Sequence, residues 1–138
     1  MRAVAFAAAL LAASLAFAQD TGHWPKGAEV YIISPHNGAT VKNPVVVRFG
    51  LKGLGIAPAG VKFENTGHHH LLIDTDLPAD LNQPLPVTDN IKHFGKGQTE
   101  TSLTLPAGKH TLQLVIGDEN HIPHSPPLVS KKITITVE

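Results

Sequence analysis

The residues best equipped for chemistry in this chain are its histidines, nine in 138 residues, three of them in a row at His68-His69-His70. They lead into Leu71-Leu72-Ile73-Asp74, an apolar stretch with strand character. Side chains two apart in a strand share a face, so His68 and His70 point one way and His69 points the other, with Leu71 and Ile73. The second set is the more apolar and is expected to face the core. The first is then an outward H-x-H pair, two imidazole donors of the kind that suits zinc, cupric copper or nickel. Two such ligands hold an ion weakly, and a tight site takes three or four.

What completes the set depends on the elements that carry the other histidines. Eleven Pro and twelve Gly punctuate the chain throughout, and no helical periodicity survives between them. Short apolar or alternating runs at 29–33, 44–51, 68–74, 102–105, 110–117 and 132–137 read as strands. A further short edge strand is expected within the proline-broken stretch 75–100. About seven short strands at this spacing fit an all-β, immunoglobulin-like Greek-key sandwich. If 68–74 takes the place of strand C and 110–117 that of strand F, the loop before the first and the loop after the second meet at one end of the sandwich. His68 and His70 start there. His121 and His124 follow Gly117-Asp118, and His93 precedes the fifth strand, so all five are expected to converge. His36 and His110 fall at the opposite end.

The resulting expectation is a mononuclear copper or zinc site made of His68 and His70 with two of His93, His121 and His124. Asp118 is expected as a ligand or as an acceptor that fixes an imidazole tautomer, and His69 stands behind the ligand pair. Gly95 and Gly97 would let backbone approach closely. Pro123, Pro126 and Pro127 would stiffen the His-bearing loop. The bland alternative is that the rings are structural, their N–H groups satisfying loop carbonyls. No other motif rivals this one. Gly95-Lys96-Gly97-Gln98-Thr99 lacks the spacing of a phosphate loop, and no G-x-S-x-G elbow is present.

Composition narrows the setting. From Ala3 to Ala18 the only polar residue is Ser14, Arg2 stands before the run, and Ala16-Phe17-Ala18 closes it. This is the pattern of a signal peptide over 1–18, leaving a single domain over 19–138, periplasmic or secreted, with no membrane attachment after cleavage. The chain has 11 basic and 11 acidic residues, so loss of Arg2 leaves a formal charge of −1, with no pull toward nucleic acid. It has no Cys, and its one Met is Met1, so thiolate and thioether ligation of a cuprous ion are closed to the mature domain.

Several stretches together resemble a known family. They are Ile33-Ser34-Pro35-His36-Asn37-Gly38, Gly67-His68-His69-His70-Leu71-Leu72-Ile73-Asp74, His93-Phe94-Gly95-Lys96-Gly97-Gln98-Thr99-Glu100 and Gly108-Lys109-His110-Thr111-Leu112. The chain is similar in these to exported bacterial domains grouped as domain of unknown function 4399. The resemblance implies export and a single domain. It implies no activity and no site residues. Three functions stay open, in this order: a metal-binding domain for copper or zinc handling, a non-catalytic module gripping an envelope protein or glycan, and a metal-dependent or oxidative enzyme.

Overall fold

A computed structural model describes residues 22–138. The expected signal segment lies outside them. Nine strands run in chain order: β1 (Glu29–Ser34), β2 (Thr40–Val41), β3 (Val45–Lys52), β4 (Gly55–Ile56), β5 (Thr66–Ile73), β6 (Ile91–His93), β7 (Glu100–Leu103), β8 (Gly108–Gly117) and β9 (Ile133–Val137). The six stretches with clear patterning all form strands, and the edge strand expected within 75–100 is β6. The two-residue strands β2 and β4 are too short to carry a period, which is why patterning does not find them.

The strands divide into two sheets. One has the order β1-β3-β7; the other has β2-β9-β8-β5-β4, with β6 also paired to β5. With β5 as strand C and β8 as strand F, this is the immunoglobulin-like arrangement of an all-β sandwich. Alternation builds the core. Val45, Val47 and Phe49 of β3 face Leu71 and Ile73 of β5, Leu112, Leu114 and Ile116 of β8, and Ile133, Ile135 and Val137 of β9. All are buried. Each large aliphatic side chain so removed from water contributes roughly 1.5–3 kcal/mol. Among the described residues no helix is long and apolar enough to cross a membrane.

A second, smaller apolar cluster sits on the other face of the larger sheet: Leu72 and Val115 beneath Leu85 and Ile91. It exists because the segment after β5 folds back across that face and ends in β6. Antiparallel pairing sets Leu72 against Ile91 and His70 against His93. The outer face of β5 is therefore covered, and this cover decides the surroundings of the histidines.

Candidate metal centre

β5 holds the histidine triplet at the middle of its sheet, between β8 on one side and β6 and β4 on the other. The period of two separates the rings as expected. His69 points inward, its ring 5.1 Å from that of Phe49. His68 and His70 share the outer face, ring centroids 4.7 Å apart. One expectation needs correction: outward does not mean exposed. All three rings are buried, His68 at 0 % exposure and His69 and His70 at 1 %. The cover over the outer face, anchored on the Leu72–Ile91 packing, closes over His68 and His70, while His69 is buried in the main core beside Phe49.

Two further histidines reach this pair by different routes. His93 arrives by strand pairing. Its register opposite His70 lays the two rings nearly parallel, at 21° with centroids 5.1 Å apart. His121 arrives on the loop after β8, in a left-handed backbone conformation with φ 65°. Such a conformation costs a non-glycine residue of order 1 kcal/mol and persists where the surroundings impose it. Here they do. The His121 N–H donates to the Asp118 carbonyl at 2.9 Å, and the His121 carbonyl accepts from Leu85 N at 2.9 Å.

The four rings form one group, each offering a nitrogen within 4.8 Å of the others. Its centre is Nε2 of His68, which lies 3.0 Å from His121 Nδ1 and 3.2 Å from His93 Nε2. One in-plane position of an imidazole nitrogen can aim squarely at one partner, not at two. Three ring nitrogens crowded about one point is the arrangement a shared cation makes. Zinc–imidazole bonds of 2.0–2.1 Å place neighbouring donors of a tetrahedral ion roughly 3.3 Å apart, close to these separations. Moreover, Nδ1 of His68 and both nitrogens of His70 are buried without a hydrogen-bond partner. A buried polar atom left unpaired costs about 1–3 kcal/mol. A ligand role gives one nitrogen of His70 a partner.

Electrostatics keep the donors in the coordinating form. Burial pushes the pKa of His68 down to about 4, helped by His121 and His93, with Asp118 acting in the opposite sense. Burial pushes His70 down to about 3, again helped by His68, His93 and His121. His93 is lowered by burial and by His121. Near neutral pH these imidazoles carry lone pairs and no charge, the state that binds a metal ion.

Glycines make the room. A Cβ on Gly117, which pairs opposite His68, would stand 2.7 Å from the His70 ring and 3.2 Å from the His121 backbone. A Cβ on Gly95 would stand 2.5 Å from the His93 ring. Close approach at Gly95 is as expected from the sequence. Gly97 instead adopts φ 84° and serves a turn. The place of Gly117 was missed, although a glycine ending the strand that runs beside an H-x-H pair was the signal for it.

Of the five expected ligands, the structure brings together His68, His70, His93 and His121. It parts His124 from them. His124, also left-handed with φ 63°, turns back so that its Nε2 lies 2.6 Å from Asp118 Oδ2. Asp118 does not touch the four rings. Its Oδ1 accepts from the N–H groups of Asn120 at 2.8 Å and Ile122 at 3.0 Å, so it caps the turn that presents His121. Burial works against this carboxylate, yet the Ile122 N–H, His124 and the Asn120 N–H hold its pKa below the usual value. The opposite-end assignment of His110 agrees with its partners, Asp74 at 2.6 Å and the Pro106 carbonyl at 2.8 Å.

The segment before β1 braces the same loop, a role that sequence reading did not assign. Trp24 donates its indole N–H to the Pro123 carbonyl at 2.7 Å and packs against the main core. His23 stacks on His124, centroids 3.6 Å apart and planes 9° from parallel.

With this geometry in view, the comparison with known families is informative. The family described as a domain of unknown function, DUF4399, matches residues 47–138, well over half of the chain. The chain belongs to that family. The stretch shared with DUF4399 contains all four rings of the tetrad and the capping Asp118, while β1, β2, His23 and Trp24 precede it. Among curated proteins and among solved structures, nothing matches the chain.

Proposed function

We propose that this protein is an exported metal-binding domain that holds one divalent ion, copper(II) or zinc, through the neutral imidazoles of His68, His70, His93 and His121. The observation that carries this reading is the convergence of two ring nitrogens, His121 Nδ1 at 3.0 Å and His93 Nε2 at 3.2 Å, on His68 Nε2, beside buried ring nitrogens of His70 with no other partner. All-imidazole donors favour cupric over cuprous ions, and they also suit zinc. Four protein ligands fill a tetrahedral shell, which is the pattern of a closed site rather than a catalytic one with an open position. Histidines scattered over the surface would have favoured the interaction-module reading; these four gather instead. The work implied is holding and handing over an ion. His68 and His70 sit rigidly on a central strand, while His93 and His121, both partly exposed, come from a short edge strand and a loop through which an ion can pass.

The test is elemental analysis of the mature chain, purified without a polyhistidine tag, followed by competitive titration with cupric and zinc ions. The expected result is tight binding that the double replacement His68→Ala, His70→Ala abolishes. Binding that is weak in the wild type, or indifferent to that replacement, would mean that the rings are structural.

A further inference from the structure

The geometry points to a second, outer divalent-cation site formed by His23, Asp118 and His124, separate from the tetrad and weaker than it. These three side chains each offer a donor atom within 4.8 Å of the others. Two imidazoles and one carboxylate form a donor set that holds divalent transition ions while leaving positions open to water. His23 and Asp118 border a surface depression whose lining includes Trp24, Phe63, Asn65 and Glu119. Three carboxylates, Glu64, Asp118 and Glu119, line it and give the depression local negative character. Lys62 on its rim is the opposing charge.

Without an ion, His124 Nε2 and Asp118 Oδ2 are hydrogen-bonded across 2.6 Å, and His23 lies flat on the His124 ring. A divalent ion takes the place of that hydrogen bond, held by the Nε2 lone pair and Oδ2, with the ring hydrogen on Nδ1. Parallel stacked rings aim their lone pairs along parallel lines, so His23 must rotate to complete the set. It is exposed and stands before the first strand, so rotation disturbs no core packing. Asp118 keeps its turn-capping bonds throughout, because these use Oδ1 and the ion uses Oδ2. The outer ion therefore rests on the same turn that presents His121. That placement suits an ion held briefly at the surface next to the buried donors. Its donors are only three in number and two of them, His23 and His124, are open to solvent, which is why it binds more weakly than the tetrad.

The two sites share no donor, and their donor sets differ in a way that can be read spectroscopically. Cupric titration of the full mature chain followed by electron paramagnetic resonance separates a four-nitrogen site from one with two nitrogens and an oxygen. Calorimetric titration with zinc counts ions. The wild type is expected to take two ions, the second at least tenfold weaker. His23→Ala and His124→Gln, the latter keeping a hydrogen-bond donor for Asp118, should each weaken the second ion by tenfold or more and leave the first. The double replacement His68→Ala, His70→Ala should do the reverse. In the wild type, an ion with two nitrogens and an oxygen but no four-nitrogen ion would refute the tetrad and support the outer site. Saturation at one four-nitrogen ion, or a second ion indifferent to both His23→Ala and His124→Gln, would overturn the proposal.

Discussion

At the scale of single residues, His121 concentrates the tension between folding and binding. Its ring belongs to the tetrad, while its backbone occupies a left-handed conformation that glycine adopts without penalty. Replacing it with Gly should leave the metal-free domain at least as stable as the wild type, by up to about 1 kcal/mol, while tight metal binding is lost. Chemical denaturation of the metal-free protein together with zinc titration checks both halves. A large loss of metal-free stability would show that the ring, not an ion, is what the fold needs there. Gly117 makes the converse case. Gly117→Ala places a methyl group 2.7 Å from the His70 ring and beside the His121 backbone, so metal affinity should fall although no donor has been removed. Unchanged affinity would mean that the ring is free to move aside, contrary to its burial.

At the scale of elements, the site joins one rigid half to one held in place by hydrogen bonds. β5 fixes His68 and His70 by pairing with β8 along six positions, from His68 opposite Gly117 to Ile73 opposite Leu112. His121 depends on a turn capped by Asp118 and braced by the Trp24 indole. Asp118→Asn keeps the shape of the side chain and removes the charge that the two N–H groups and His124 compensate. Charge-assisted hydrogen bonds contribute about 1.5–3 kcal/mol, so a stability loss of about that size is expected. Metal affinity at the tetrad should fall by roughly tenfold or more, as when a residue that orients a ligand is lost. Melting curves and zinc titration report the two effects. Equal affinity in both proteins would show that the turn holds His121 without its cap. The elements themselves were largely visible in the sequence, because strands of five residues or more with one buried face must alternate. β8 shows this in Leu112, Leu114 and Ile116. β4 escaped notice because two residues, Gly55 and Ile56, make no pattern and are defined only by their partners Thr66 and Gly67.

At the scale of the whole molecule, burying three adjacent imidazoles links stability to pH. His69 has its pKa lowered to about 4 by burial, against which the Gly50 backbone works. His68 and His70 are lowered to about 4 and about 3. Above the ordinary value of 6.5 these rings are neutral in both folded and unfolded chains and contribute nothing to pH dependence. Below it the unfolded chain takes up protons that the folded chain refuses, so stability falls as pH drops from 6.5 toward about 4. For His69 alone the lowering corresponds to about 3 kcal/mol. His110 has the opposite sign. Its pKa is raised by Asp74 and the Pro106 carbonyl, so its contribution is present below 6.5 and fades as pH climbs through the raised value. The lowered rings, to which His93 and His23 also belong, outweigh the one raised ring, and the metal-free domain should be markedly less stable at pH 5 than at pH 7.5. Urea unfolding at the two pH values measures this, and His69→Phe should flatten part of the slope. Equal stability at both would mean that the rings are not buried in solution. An ion present at a thousand times its dissociation constant should add about 4 kcal/mol, on the order of 10–15 °C in melting temperature.

By itself, the sequence determined the sandwich and the candidate donors. Alternation requires one face of each strand to be apolar, and the absence of Cys and of any Met beyond Met1 left imidazole as the ligand type suited to a transition metal. It also determined that His69 parts from its neighbours, since a period of two admits nothing else. Which histidines meet was decided by tertiary structure. His93 joins because β6 pairs with β5 in the register that sets it opposite His70. His121 joins and His124 does not because the turn after Asp118 closes at Ile122 and sends the chain back toward Asp118 Oδ2. Neither is a local property of the residues concerned. Each depends on a contact between segments far apart in the chain, and such contacts leave no periodic trace in the sequence that makes them.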